Sequence, residues 1–154
     1  MKIRVTTRGF LTVIFLFALC IITLTTFTYS SGPPASYTGA PSESNCTSCH
    51  SGSAISSGFA WNNISLTGNF TGGGYIPDST YTMTLEIDNS SRNRFGFQLT
   101  CLDDDNDMAG SFTNTSTATS KQSGSGSLND REYIQHTSSG TSGTGGRSWT
   151  FNWT

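Results

Sequence analysis

Over residues 81–87 apolar and polar side chains alternate one for one: Tyr81, Met83, Leu85 and Ile87 share one parity, and Thr82, Thr84 and Glu86 share the other. A period of two puts each set on one face of an extended chain, so the spacing predicts a half-buried strand. Residues 95–101 repeat the pattern with Phe95, Phe97, Leu99 and Cys101 facing inward, and the run Asp103-Asp104-Asp105-Asn106-Asp107 is predicted as the turn that follows. Residues 59–66 predict a further strand, ended by Gly72-Gly73-Gly74. Shorter strands are expected at 110–113, 132–136 and 148–153. Residues 114–129 are rich in Ser, Thr and Gly and predict a long surface connection or an irregular edge. No stretch beyond residue 31 carries a helical period with caps. Short alternating strands separated by turns predict an all-β fold, an antiparallel β-sandwich.

The N-terminus follows a different pattern. Lys2, Arg4 and Arg8 precede an apolar run over residues 10–24 and a polar, small-residue stretch over 25–31, the arrangement of a secretory signal peptide. The run is shorter than the roughly 20 apolar residues of a membrane span, and an uncleaved anchor is the alternative. Cys20 lies between Leu19 and Ile21, which are not the small residues of a lipoprotein site, so it belongs to the discarded segment. Pro33, Pro34, Gly39 and Pro41 keep the next stretch irregular. The expected organisation is a signal peptide over 1–30, an irregular segment over 31–58 and a β-sandwich over 59–154.

Eight basic and ten acidic residues give a formal charge of −2, but three of the basic residues lie in the signal, leaving five against ten in the exported part. That balance attracts neither nucleic acid nor an anionic membrane surface. The expected location is outside the cytoplasm: secreted, periplasmic or at the cell surface.

The irregular segment contains Cys46-Thr47-Ser48-Cys49-His50, the C-x-x-C-H spacing by which one haem c is attached covalently. Cys46 and Cys49 would form the thioether links and His50 would be the proximal iron ligand. The chain has two histidines, so His136 is the candidate for the opposite axial position. Met83 has core parity, and Met108, in a predicted loop, is a weaker candidate. Two rival readings remain: a tetrahedral zinc site from Cys46, Cys49, Cys101 and His136, or a Cys46–Cys49 disulfide. The Asp103–Asp107 run lacks the Gly and closing Glu of an EF-hand and reads as a solvated turn. Trp61, Trp149 and Trp153 read as packing residues. No Ser-His-Asp or paired-carboxylate set can be assembled, so an electron carrier or binding module is expected rather than an enzyme.

Several segments also resemble a known family. Gly74-Tyr75-Ile76-Pro77-Asp78 through Leu85, Phe95-Gly96-Phe97-Gln98-Leu99-Thr100, Ala109-Gly110-Ser111-Phe112, Tyr133-Ile134-Gln135-His136-Thr137 and Ser148-Trp149-Thr150-Phe151-Asn152-Trp153-Thr154 are similar to the bacterial Reeler-like domain of choice-of-anchor V type. Ser31-Gly32-Pro33-Pro34 through Cys46–Gly52 is similar to its N-terminal part. The resemblance implies a Reeler-like, immunoglobulin-like sandwich carrying the haem segment. Members usually continue with a further strand and often an anchoring region. A chain stopping at Thr154 is therefore expected to lack its last sheet edge, and Cys101 stands where a small apolar residue is usual. The implied function is a monohaem c-type cytochrome domain for electron transfer at or outside the cell envelope. Its expected partners are redox proteins or a surface assembly, with the membrane reached only through an uncleaved signal or a missing C-terminal anchor. The alternatives are an adhesion or matrix-binding module with a structural haem or none, and a haem-based sensor or peroxidase with a vacant sixth site.

Overall fold

Alternation becomes burial most plainly at β2 (Tyr81–Asp88), where Tyr81, Met83 and Leu85 are buried and Thr82 and Glu86 exposed. Strand β7 (Gly146–Trp153) pairs with it over its whole length, Leu85 opposite Trp149 and Met83 opposite Phe151, so the two apolar faces coincide. The computed structural model describes residues 29–50 and 63–154. Apart from Tyr29 and Ser30, the expected signal peptide with Cys20 lies outside the described residues, as do residues 51–58 of the irregular segment and 59–62, with Trp61, of the first expected strand.

The remaining strands are β1 (Ile64–Gly68), β3 (Gln98–Leu99), β4 (Phe112–Asn114), β5 (Thr119–Ser123) and β6 (Glu132–His136). Every pairing is antiparallel. One sheet has the order β1-β2-β7-β4 and the other β3-β6-β5. Helical structure among the described residues is limited to single turns at Cys46–Ser48, Gly126–Leu128 and Ser138–Gly140. None of their helices is long and apolar enough to cross a membrane. The fold is all-β.

Both sheets contribute to one core. Tyr81, Met83, Leu85, Phe112, Trp149 and Phe151 come from the larger sheet, and they pack with Phe95, Phe97 and Ile134 from the smaller sheet and the chain leading into it. Burying each such side chain stabilises the fold by about 1.5–3 kcal/mol. Phe97 lies 4.9 Å from Trp149 and 6.1 Å from Phe151, centroid to centroid, and so links the sheets. The described strands divide four plus three between the two sheets.

Several strand expectations change: β1 ends at Gly68 rather than residue 66, and β7 begins at Gly146 rather than residue 148. The 95–101 run has the predicted parity, with Phe95 and Phe97 buried and Leu99 and Cys101 packed on the core, yet only Gln98–Leu99 joins a ladder. At Phe97 an imidazole, rather than a neighbouring backbone, meets the peptide N–H. The 114–129 stretch contains a regular strand, β5, paired along β6. It was illegible because Thr119-Ser120-Lys121-Gln122-Ser123 is a polar edge strand with little apolar alternation. The strand expected at 110–113 starts two residues later, at Phe112.

Candidate functional site

Asn45 starts the motif turn: its Oδ1 accepts the Thr47 backbone N–H at 2.9 Å. The Cys49 and His50 N–H groups both donate to Cys46 O, at 3.2 and 2.9 Å. These bonds keep Cys46, Cys49 and His50 close together in one tight turn. All three are exposed, and both thiols are free.

The described part of the segment bearing this turn has no strand of its own and is held by polar bonds to the β3–β6 sheet. Gln98 accepts the Tyr37 N–H at 2.8 Å on Oε1 and donates from Nε2 to Pro34 O and Gln135 Oε1, both at 2.9 Å. Arg131 donates from one guanidinium nitrogen to Pro41 O at 2.8 Å and to Glu43 Oε1 at 2.7 Å. The Tyr133 hydroxyl donates to the same carboxylate oxygen at 2.8 Å. Both partners of the ion pair are buried, with side-chain exposures of 6% for Arg131 and 0% for Glu43.

Burial pulls the Glu43 carboxyl upward, but hydrogen bonds from Thr38, Arg131 and Tyr133 outweigh it and hold the group below its ordinary value. The bond to Glu43, against burial, raises Arg131, while burial raises Tyr133. Gly32, with φ of 115°, brings the start of the segment against β6, where a Cβ would lie 2.4 Å from Gln135 Nε2. Strand β6 is thus covered on both faces, which accounts for the burial of Tyr133, Ile134, Gln135 and His136 alike.

His136 ends β6 and is 8% exposed. Its backbone N–H donates to Phe97 O at 3.2 Å, and its Nδ1 lies 3.0 Å from both Phe97 N and Phe97 O. The two tautomers therefore do different things. With Nδ1 unprotonated, the ring accepts the Phe97 N–H and Nε2 carries the proton; with Nδ1 protonated, it donates to Phe97 O and Nε2 presents a lone pair. Among the described residues Nε2 makes no hydrogen bond. The imidazole lies against Gly96, where a Cβ would stand 2.6 Å from Cε1, so a side chain there would displace the ring.

Cys46, Cys49, His50 and His136 line one cleft of about 730 Å³. Its walls are mainly apolar, from Pro33, Pro34, Tyr37, Phe95 and Phe97, with Arg94 and Thr141 on one side. Arg94, Thr141 and Gly96 were not marked in the sequence as site residues. The one available signal was the Gly set between two inward aromatics.

The other candidates lie elsewhere. Met83 is in the core. Met108 packs beside the core with Sδ accepting from Thr100 Oγ1 at 3.8 Å and Glu132 N at 3.4 Å, and it does not line the cleft. Cys101 lines a second cleft of about 710 Å³ with Tyr75, Trp153, Asp103 and Asp104, and burial pushes its thiol up. The four-ligand zinc set is therefore not gathered. Among the described residues no group of three or more His, Cys, Asp or Glu stands close enough to hold a bare ion. In the acidic run, Asp103 Oδ1 accepts the N–H groups of Asp105 and Asp107 at 3.0 and 2.9 Å, which makes a turn. Trp149 and Trp153 donate to Gly140 O and Ala109 O, each at 2.9 Å, as packed tryptophans do. Compared with known proteins, the chain matches no family model, no curated protein and no solved structure.

Proposed function

We propose that this is an exported monohaem c-type cytochrome domain that carries electrons at or outside the cell envelope, built on a Reeler-like β-sandwich with its own strand order. One observation carries the reading: both cysteines of the C-x-x-C-H motif, its histidine and the second histidine line the same cleft. The residues fit a flat, largely apolar ring. Two thiols and an imidazole from one tight turn line the cleft, its other walls are mainly apolar, and the missing Cβ of Gly96 leaves the His136 ring room. Cys46 and Cys49 would hold the haem covalently, with His50 and His136 as its iron ligands. A haem held in this way supplies one-electron chemistry between ferric and ferrous iron. The chain's own contribution is to fix the ring through the polar bonds of the 31–50 segment and to present His136 Nε2 with Nδ1–H on Phe97 O.

A second reading has its own support. In the other tautomer Nδ1 accepts the Phe97 N–H, a buried donor that costs about 1–3 kcal/mol when left unpaired. That tautomer leaves Nε2 protonated and the sixth position open, as a haem-based sensor or peroxidase requires. The protein matured with a haem-attachment system decides between them. An electron carrier retains its haem through acid-acetone extraction, is low-spin when ferric and binds carbon monoxide only after His136→Ala. A high-spin wild type that binds carbon monoxide favours the second reading. Haem that extracts freely, or that stays attached in the Cys46→Ser, Cys49→Ser double variant, removes both.

A further inference from the structure

Resting on the haem reading, we infer that Arg94 is the anchor for a haem propionate and sets the edge by which the ring enters the cleft. Among the described residues lining the cleft, Arg94 alone bears a permanent charge, and none is Asp or Glu. Among the described residues Arg94 has no carboxylate partner, whereas Arg131 and Lys121 are paired with Glu43 and Glu132. A guanidinium beside an apolar cleft in an otherwise acidic chain is placed for an anion that enters with the ligand.

Its position is fixed in advance. The backbone of Arg94 bridges Ser142, and Phe95 N donates to Thr141 O at 2.8 Å. One terminal guanidinium nitrogen donates to Thr141 Oγ1 at 2.8 Å, and that hydroxyl donates in turn to Ser138 O at 3.0 Å. Thr141 is 6% exposed, so it holds one arm of the fork. The other terminal nitrogen and Nε make no bond among the described residues. The planar edge formed by these two free nitrogens matches a carboxylate. Haem presents carboxylates along one edge of an otherwise apolar ring, which is the polarity of this cleft. Arg94 adjoins the aromatic wall made by Phe95 and Phe97, so a bound propionate would fix the ring's rotation relative to the motif turn.

The test uses matured protein with the haem attached. A cation beside a propionate disfavours the more positive ferric state, so the reduction potential should fall in the order wild type, Arg94→Lys, Arg94→Gln, Arg94→Glu, with the first two close together. Arg92→Gln makes the same charge change at an exposed position that does not line the cleft, and it should shift the potential much less. The propionate bending band in the resonance Raman spectrum should move in Arg94→Gln and stay in place in Arg92→Gln. An equal potential shift in the two Gln variants, or an unmoved propionate band in Arg94→Gln, overturns the assignment while leaving the cytochrome intact. A wild type without covalent haem overturns the functional reading, and this inference with it.

Discussion

The core pair β2–β7 and the segment at 31–50 are both pinned, but by opposite physics. Along β2 and β7 the contacts are apolar and non-directional, and eight residues of each strand lie in register. The 31–50 segment is held by single directional bonds to Gln98, Arg131 and Tyr133, around a carboxylate with no exposed side-chain surface. An apolar face tolerates small shifts and loses stability in proportion to the volume removed. A buried polar clamp holds one geometry and fails when one partner is removed, because the charge left behind is unpaired. The Cys46–His50 turn is carried on the clamped segment.

The contrast can be broken first on the apolar side. Trp149 is 2% exposed and packs on Phe97. Trp149→Ala should cost about 3–5 kcal/mol, a large share of the roughly 5–15 kcal/mol by which such domains are stable. Chemical denaturation should show one cooperative transition at a much lower midpoint, with both sheets lost together. A small shift would mean that the sheets do not share a core.

On the polar side, Arg131→Met leaves the Glu43 carboxylate buried and unpaired, a loss of about 3–5 kcal/mol if the segment stays in place. The segment has a cheaper response, which is to detach. Amide exchange should therefore accelerate at Ser44 N and Gly39 N, which bond to Ser36 O and Ser44 O, while the amides of β2 and β7 remain protected. Adding Glu43→Gln to Arg131→Met should recover part of the protection, because it removes the unpaired charge. Acid should act like Arg131→Met. Since the Glu43 pKa is lowered in the folded state, its contribution is complete above the ordinary carboxylate range and is lost as pH falls through the depressed value. Uniform loss of protection across both sheets would place the segment inside the global unfolding unit.

The same contrast explains what the sequence made legible. Tyr81, Met83, Leu85, Trp149 and Phe151 announce their strands because burial on one face writes a period of two into neighbouring residues. Glu43 and Arg131 are 88 positions apart, and nothing local marks them as partners. Strand β5 stayed hidden because a polar edge strand with no apolar face leaves no period to read. Of the candidate site, the Cys46-Thr47-Ser48-Cys49-His50 spacing was readable as chemistry, and His136 was found by elimination. That Arg94 and Thr141 stand beside them depends on the backbone bridge from Arg94 to Ser142, a tertiary fact.

Gly96 is where the two kinds of holding meet, between two core aromatics and against the imidazole of His136. Its Cβ would stand 2.6 Å from Cε1, 2.8 Å from Nδ1 and 3.1 Å from Nε2, too close for a ring whose Nδ1 is held 3.0 Å from the Phe97 backbone. Something must move, and the core side is the stiffer: Phe95 and Phe97 are packed, whereas the Nε2 edge of the ring has no hydrogen-bond partner among the described residues. Gly96→Ala should therefore rotate the imidazole away from Phe97 and cost about 1–3 kcal/mol, less than either change above. In NMR, the Phe97 amide proton should then change its chemical shift and lose its close contact with the His136 ring, as Nδ1 leaves the Phe97 backbone. If the proposed haem is bound, the same variant should weaken His136 as an iron ligand and admit carbon monoxide, while attachment through Cys46 and Cys49 would persist. If Gly96→Ala leaves the Phe97 amide signal and its contact with the His136 ring unchanged, the core has yielded instead of the ring, and the boundary between rigid and adjustable regions lies on the other side of Gly96.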